Sequence, residues 1–243
     1  SMESSANIML NSLVPEYSTI QKGIITNSGL YFIWDGNFMI TNSNFEKNTA
    51  YTGFIFSHLS RVTLEGCTIH DNHIIGASIL GVFQGESVLM LSRTNITDSS
   101  LERPPDLNLK YFGAILFSDA TISLNNVNIV RITLTNQVHL IAGNFLQGNF
   151  SKLNVMDTHN MESSATLFQL NSSELAFNDI QFNNITNIFS FYTSDNLIMS
   201  NVSIENFVNK QVDPFLLKLL VCTIQISNIT YKGNSLNEKR SEE

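Results

Sequence analysis

The chain has 243 residues, a formal net charge of −8, 43% hydrophobic residues and only 14% charged residues. That charged fraction is well below the roughly 25% of an average soluble domain, whereas the chain holds 30 Asn against 8 Lys. The 13 basic residues are scattered along the chain, which argues against binding to nucleic acid or to an anionic membrane surface. No apolar run is long enough to span a bilayer, so we expect no direct membrane insertion by this segment.

An internal repeat organises the sequence. Apolar or small residues recur seven, five and two positions before an apolar anchor, as Phe38, Ile40 and Ser43 do before Phe45. The anchors in chain order are Ile25, Phe45, Ile69, Ile96, Ile129, Thr158, Phe182, Ile204 and Tyr231, of which Ile25 and Thr158 belong to weak copies. Their spacings run from 20 to 33 with a mean near 26, so nine copies cover nearly the whole chain.

Each copy predicts two short strands that meet at a bend, because alternation with period two changes phase in the middle of the copy. Asn tolerates left-handed backbone and suits such a corner. The predicted corner asparagines are Asn42, Asn125, Asn126, Asn154, Asn178, Asn201 and Asn228. Between copies, the apolar runs 53–57, 113–118, 165–168 and 188–191 predict a further strand, which makes about three strands per turn.

Turns of this kind, stacked at the spacing of neighbouring strands of about 4.8 Å, predict a parallel β-helix. We expect one right-handed solenoid domain of about nine turns, with the hand following the rule for parallel crossovers. Residues 1–17 are expected to form an N-terminal strand or cap, 99–112 an inserted loop and 234–243 a polar tail. The opening Ser1-Met2 is typical of a cleaved tag, which suggests a fragment of a larger protein.

The repeats resemble those of polymorphic outer membrane proteins and of large surface proteins of protists. The Phe-x-x-Asn element of that family is matched by Phe45-Glu46-Lys47-Asn48 and, with a different first residue, by Ile69-His70-Asp71-Asn72, while 113–115 matches a degenerate Gly-Gly-Ala-Ile element. The resemblance implies a surface-exposed or secreted β-helical segment for adhesion or display. A leucine-rich repeat is the alternative fold, since 64–74 satisfies its frame, but the uneven repeat length and strand-like second halves disfavour it.

Parallel β-helices also form the pectin lyase-like fold of pectate lyases and polygalacturonases, so a carbohydrate-active enzyme is the alternative function. The residues two positions after the anchors are Lys47, Asp71, Asp98, Arg131, Asn160, Asn184 and Asn206. In register, Asp71 and Asp98 stack beside His70 and Arg131 as candidate catalytic residues, because paired carboxylates about 5 Å apart can act as acid and nucleophile. The simpler interpretation, which we favour, is a charge ladder that neutralises itself.

The remaining polar features predict less. His70 and His73 have a metal-like spacing but point differently on a strand and a turn, so we expect no metal and no cofactor. Cys67 and Cys222 lie far apart in sequence and are expected to be buried free thiols. The candidate glycosylation sites are Asn95, Asn149, Asn171, Asn184, Asn201 and Asn228, about the number that chance yields at this Asn content.

The sequence therefore predicts a non-enzymatic β-helical segment of a surface or extracellular protein with an adhesive, display or spacer role. A protein or carbohydrate could bind its solenoid face, and the exposed end turns could associate end to end through open strand edges. An intracellular scaffold is the third interpretation.

Overall fold

A computed structural model describes most of the chain. The described residues are 8–9, 12–13, 19–21, 24–25, 31–50, 54–75, 80–84, 87–102, 113–135, 138–160, 167–186, 189–192, 196–209, 217–220, 223–233 and 235–236. Cys222, the predicted loop from 103 to 112 and most of the predicted N-terminal cap lie outside the described residues.

The described residues form 27 strands. The first sixteen are β1 (Ile8–Met9), β2 (Ser12–Leu13), β3 (Thr19–Gln21), β4 (Ile24–Ile25), β5 (Tyr31–Trp34), β6 (Asn37–Thr41), β7 (Asn44–Glu46), β8 (Thr49–Ala50), β9 (Ile55–His58), β10 (Arg61–Glu65), β11 (Thr68–His70), β12 (His73–Ile75), β13 (Gly81–Gln84), β14 (Val88–Ser92), β15 (Asn95–Thr97) and β16 (Ser100–Glu102). The others are β17 (Gly113–Val130), β18 (Thr133–Thr135), β19 (His139–Met156), β20 (His159–Asn160), β21 (Phe168–Asn183), β22 (Phe189–Tyr192), β23 (Asn196–Glu205), β24 (Val208–Asn209), β25 (Leu217–Leu220), β26 (Thr223–Lys232) and β27 (Ser235–Leu236).

Every strand pairs in parallel with its equivalent in the turn above or below. Strand β10, for example, pairs with β6 on one side and with β14 on the other, so that Val62 lies between Phe38 and Leu89. The same ladder continues through β17, β19, β21 and β23 to β26. The structure confirms the predicted all-β parallel solenoid, in agreement with a right-handed parallel β-helix. No α-helix occurs among the described residues, and the leucine-rich-repeat alternative is wrong.

The turns differ from the prediction in two respects. A turn holds four strand segments rather than about three, as β9 to β12 show. The number of turns also differs from nine. The fourth segments form a six-stranded sheet of β4, β8, β12, β16, β18 and β20, and the path of the chain from β4 to β20 makes about five full turns. The inserted segment is shorter than predicted as well, because its first residues form β16.

The predicted register is wrong for the two weak repeat copies. The residue that aligns with Phe45 in the preceding turn is Ile20, not Ile25, because β3 pairs with β7. The residue that aligns with Ile129 in the following turn is Val155, not Thr158. Ile25 instead pairs with Ala50 in the six-stranded sheet, and Thr158 lies at a corner between β19 and β20.

The core is the column of inward-facing side chains predicted by the repeat. In the second well-described turn, Val62, Leu64, Cys67 and Ile69 are all buried. Their equivalents in later turns add aromatic contacts, including stacked rings of Phe150 and Phe177 with centroids 4.6 Å apart. Alternating buried and half-buried positions along β10, β14 and β23 follow from the period-two pattern. Within the described part of the chain, no helix is long and apolar enough to cross a membrane.

Candidate functional site

Two columns of corner residues run along the solenoid, each built from left-handed backbone. The first corner column follows the β6-type segment and comprises Asn42, Gly66, Arg93, Asn126, Lys152, Asp179, Asn201 and Asn228. The second corner column follows the β7-type segment and comprises Lys47, Asp71, Asp98, Arg131, Asp157, Asn184, Asn206 and Gly233. All have positive φ values between 48° and 66°, a region that favours Gly, Asn and Asp. In the turns from Asn42 to Asn206, the residue that follows each of these corner residues is buried.

The predicted corner asparagines are partly confirmed. Asn42, Asn126, Asn201 and Asn228 occupy the first corner column. Asn125 and Asn178 instead come just before the corner residue, and Asn154 faces outward two residues after the corner residue Lys152. Asn tolerance of left-handed backbone therefore explains four of the predicted positions.

The predicted charge column is the second corner column, with one correction. Asp157, and not the predicted Asn160, occupies this position, because the register of this turn follows Val155. Asn160 lies in β20 and pairs with Leu134 in the six-stranded sheet. The column therefore carries Asp98, Arg131 and Asp157 in consecutive turns, which alternate in charge.

Within this column, Asp98 makes close contacts with Arg131 and His70. Arg131, one turn away, donates from Nε to Asp98 Oδ1 at 2.5 Å and from Nη2 to Asp98 Oδ2 at 2.7 Å. His70 Nδ1 lies 3.3 Å from Asp98 Oδ2, and the same ring nitrogen contacts Thr97 Oγ1 at 3.0 Å. The hydrogen bonds from Arg131 hold the pKa of Asp98 below its ordinary value. Asp98 is thus stabilised as a carboxylate.

Asp71 lies at the same corner as Asp98 in the preceding turn. The pairing of His70 with Thr97 places the two aspartates at successive levels of the stack, and the Asp71 backbone N–H donates to Thr97 O at 3.1 Å. The register required by the predicted pair is therefore present. The structure brings His70 and Arg131 to Asp98, whereas Asp71 is exposed.

The two histidines with metal-like spacing have separate partners. His73 Nδ1 contacts Ser100 Oγ at 2.7 Å, one turn along its own face, while His70 contacts Thr97 and Asp98. Among the described residues, no group of three or more His, Cys, Asp or Glu side chains is placed to hold a metal ion.

A buried polar ladder that was not predicted from the sequence runs one residue after the second corner. Asn72 Oδ1 accepts hydrogen bonds from the backbone N–H of Asn48 at 2.9 Å and from Asn48 Nδ2 at 3.1 Å. Asn72 Nδ2 donates to Phe45 O at 2.9 Å, and Asn72 N donates to Ser99 Oγ at 3.1 Å. The Asn of the Phe-x-x-Asn element was the available signal, because a buried Asn needs partners for both ends of its amide.

A related device appears at the first corner. Cys67 and Thr94 are buried one residue after Gly66 and Arg93, and each donates toward the carbonyl oxygen two residues earlier, Cys67 Sγ to Glu65 O at 3.6 Å and Thr94 Oγ1 to Ser92 O at 3.0 Å. Burial raises the pKa of the Cys67 thiol, and Cys67 is a free cysteine, as predicted. At this bend, small side chains thus donate hydrogen bonds to backbone carbonyl oxygens.

A second ladder, of asparagine side chains, runs along the outward face of the strands equivalent to β11. Asn128 Nδ2 donates to Asn95 Oδ1 at 2.8 Å, and Asn154 Nδ2 donates to Asn128 Oδ1 at 3.4 Å. Polar residues occupy this outward column in each described turn from Asn44 to Thr230. Within this column, Asn95, Asn128 and Asn154 are linked along the stack by these two hydrogen bonds.

The predicted glycosylation sites differ in their surroundings. Asn95, Asn184, Asn201 and Asn228 take part in hydrogen bonds along the stack, such as Asn228 Nδ2 to Asn201 Oδ1 at 3.0 Å. Asn149 is exposed on the outward face of β19. The side chain of Asn171 lies outside the described residues. Asn149 is therefore the predicted site whose amide points into solvent without a recorded partner in the described part of the chain.

The chain is similar in fold to two solved structures. An endo-xylogalacturonan hydrolase from Aspergillus tubingensis is 9% identical over 84% of this chain and 85% of its own, with a TM-score of 0.33. QnrB1, a plasmid-mediated fluoroquinolone resistance protein, is 10% identical over 85% of this chain and 91% of its own, with a TM-score of 0.23. No protein-family model matches the chain, and no curated protein matches it.

Proposed function

We propose that this chain is a non-enzymatic β-helical spacer or display segment of a surface or extracellular protein. One observation carries the proposal: outward and corner side chains bond to their equivalents in the next turn. Asp98 with Arg131, Asp157 with Asn184, and Asn95 with Asn128 are examples. Such bonds stiffen the stack and occupy the groups that a substrate would need.

The state of Asp98 supports the same proposal. A general acid requires a pKa raised toward the working pH, usually by burial or by a nearby carboxylate. Arg131 has the opposite effect on Asp98, whose pKa lies below its ordinary value. A column in which a guanidinium clamps one carboxylate resembles a self-neutralising ladder more than an acid and nucleophile pair.

The second candidate is a carbohydrate-active enzyme, a polysaccharide lyase or glycoside hydrolase. It is favoured by the register of Asp71 and Asp98 in adjacent turns, because strand spacing is close to the separation of about 5 Å found between the carboxylates of retaining glycosidases. His70 and Arg131 would then be the neighbours that position the reacting groups.

An activity assay separates the two proposals. Purified wild-type chain is incubated with polygalacturonate and with neutral polysaccharides, and new reducing ends and unsaturated products are measured. The spacer proposal predicts no release above a blank. Release that is lost in Asp71→Asn/Asp98→Asn but retained in Asp179→Asn would establish the enzyme, since Asp179 is an exposed aspartate of the first corner column.

The surface location is tested in the organism that produces the protein. Antibodies against the chain should label intact cells as strongly as permeabilised cells, or should detect the protein in the medium. Labelling that appears only after permeabilisation would favour an intracellular scaffold instead. If the protein passes through a secretory pathway that glycosylates Asn, mass spectrometry should find the glycan first at Asn149, whose side chain is exposed.

A further inference from the structure

The outward face of the six-stranded sheet holds an imidazole beside a serine hydroxyl. His73 of β12 pairs with Ser100 of β16 in the next turn, and His73 Nδ1 lies 2.7 Å from Ser100 Oγ. Both residues are half-buried and therefore accessible from solvent. A serine hydroxyl within hydrogen-bond reach of a base is the arrangement that activates a serine as a nucleophile.

His70, in the same turn as His73, shows how the partners of a ring nitrogen decide its role. His70 Nδ1 contacts Thr97 Oγ1 at 3.0 Å, but it also lies 3.3 Å from Asp98 Oδ2. A carboxylate only accepts hydrogen bonds, so Asp98 favours a proton on that nitrogen. The nitrogen then donates, and it cannot serve as a base toward Thr97.

His73 has no such carboxylate partner. Within the described part of the chain, no Asp or Glu forms an ion pair with His73, and the partner of its ring is Ser100 Oγ. With the ring proton on Nε2, His73 Nδ1 accepts the hydrogen bond from Ser100. Other serine hydroxyls donate to backbone carbonyl oxygens instead, as those of Ser43, Ser60 and Ser99 do.

The sheet holds the pair in position. Strand β16 pairs with β12 on one side and with β18 on the other, through three residue pairs each. The neighbours Ile74 and Leu101 are fully buried and anchor both strands in the core. A general base must lie within hydrogen-bond reach of the proton that it removes, and the ladder provides this geometry before any ligand binds.

We propose that Ser100 is a nucleophilic acceptor site for small activated carboxylic esters, with His73 as its general base. Ser100 Oγ would attack the ester carbonyl carbon while the hydroxyl proton passes to His73 Nδ1. The bond from this carbon to the leaving oxygen would then break, and the proton would pass from His73 to the leaving group. The products are acyl-Ser100 and an alcohol, with no change of oxidation state.

This inference goes beyond the proposed function and does not rest on it. A single covalent acylation of the chain itself requires no turnover, so it is compatible with a spacer or display segment. The polysaccharide assay tests the spacer proposal separately, because it measures new reducing ends and unsaturated products rather than a modified serine.

Acetylation by p-nitrophenyl acetate tests the acceptor site. The folded chain is incubated with the ester, the reaction is stopped with acid, and peptide mass spectrometry locates the acetyl groups. Acetyl should accumulate at Ser100 faster than at Ser43, Ser60 or Ser99, whose hydroxyls have no imidazole partner. A chain unfolded in urea should lose this preference, because Ser100 and His73 are then apart.

Variants of the base test the role of the imidazole. His73→Gln should lower the rate of Ser100 acetylation about 100-fold, the lower end of what a general base contributes. His159→Gln is the matched control: His159 lies in the same outward column, pairs with Thr133, which pairs with Ser100, and its loss should leave the rate unchanged. Circular dichroism shows whether each variant is folded.

Added imidazole distinguishes a base from a structural residue. In His73→Ala, imidazole in solution should raise the rate of Ser100 acetylation by a larger factor than it does in the wild type, because it replaces the missing base.

Three results would overturn the proposal. Acetylation of Ser100 no faster in the folded chain than in urea shows that the fold does not activate the hydroxyl. Equal rates for the wild type and His73→Gln show that the imidazole is not the base. A folded His73→Ala variant that imidazole does not rescue assigns His73 a structural role.

Discussion

Replacing Asn72 by Ala should destabilise the protein far more than the same change at an outward asparagine. Asn72 is 2% exposed, and its side chain makes three hydrogen bonds, two accepted from Asn48 and one donated to Phe45 O. Ala removes both the acceptor and the donor in a place that water does not reach. With about 1 to 3 kcal/mol for each buried group that loses its partner, partly relieved by local adjustment, the expected loss is about 3 to 5 kcal/mol.

The matched control is Asn95→Ala. Asn95 also accepts a hydrogen bond from an asparagine one turn away, Asn128 Nδ2 at 2.8 Å, but it lies on the half-buried outward column where water can replace the lost partner. We expect a loss below about 1 kcal/mol. The measurement is equilibrium unfolding in urea followed by circular dichroism, at a concentration where the chain is monomeric.

A double-mutant cycle tests the pair directly. If Asn48 and Asn72 act as a unit, the double Ala variant should cost less than the sum of the single variants by about 1 to 2 kcal/mol. The reasoning fails if Asn72→Ala costs no more than Asn95→Ala, because burial of the ladder would then add nothing to its contribution.

Three further predictions concern the core and the corner column. Gly148→Ala should cost about 1 to 3 kcal/mol in urea unfolding, because a Cβ there would lie 2.6 Å from Leu175 Cδ2 in a filled core. Phe177→Ala should cost about 3 to 5 kcal/mol, because a fully buried ring is lost, and a melt close to that of the wild type would contradict the packing. Arg131→Gln should raise the pKa of Asp98 toward its ordinary value, as measured by NMR titration of the carboxyl carbon. Because the pKa of Asp98 is lower in the folded protein than in the unfolded chain, this pair stabilises the fold at pH values above the unfolded pKa, and the stabilisation disappears as the pH falls through the folded pKa. Equal titration curves for the wild type and the variant would show that Arg131 does not lower the pKa of Asp98.

The inward-facing positions could be predicted from sequence because period-two alternation is a local signal. Phe38, Ile40, Ser43 and Phe45 are all buried as expected. The predicted register was wrong in the turn where one residue departs from the apolar pattern. In the turn of Val155 the position seven residues earlier is Gly148, and the side chains of Phe150 and Leu175 fill its space. A glycine cannot mark an apolar position, so the pattern favoured Thr158.

The corner conformations were only partly predictable. Asn and Asp tolerate left-handed backbone, but Arg93 and Arg131 adopt it as well, with φ values of 49° and 54°. Long cationic side chains have no intrinsic preference for this region. The ladder imposes it: Arg93 N donates to Asn125 O and Arg131 N donates to Met156 O in the next turn. Local sequence propensities cannot predict such bonds, because the two partners lie in different turns.

The inward position after the second corner changes character along the chain, and this change bears on how the stack keeps its register. It is Asn48, Asn72 and Ser99 in the earlier turns and Ile132, Ile185 and Phe207 in the later ones, with Thr158 as a polar exception. Because the stacked turns have similar shapes, shifting one turn relative to its neighbour would change the packing energy of the apolar side chains only a little. A slip that set Ile132 against Asn72 would bury amide groups without partners, at about 1 to 3 kcal/mol for each. The polar ladder therefore penalises misalignment in the early turns, and the aliphatic column supplies burial once the register is set.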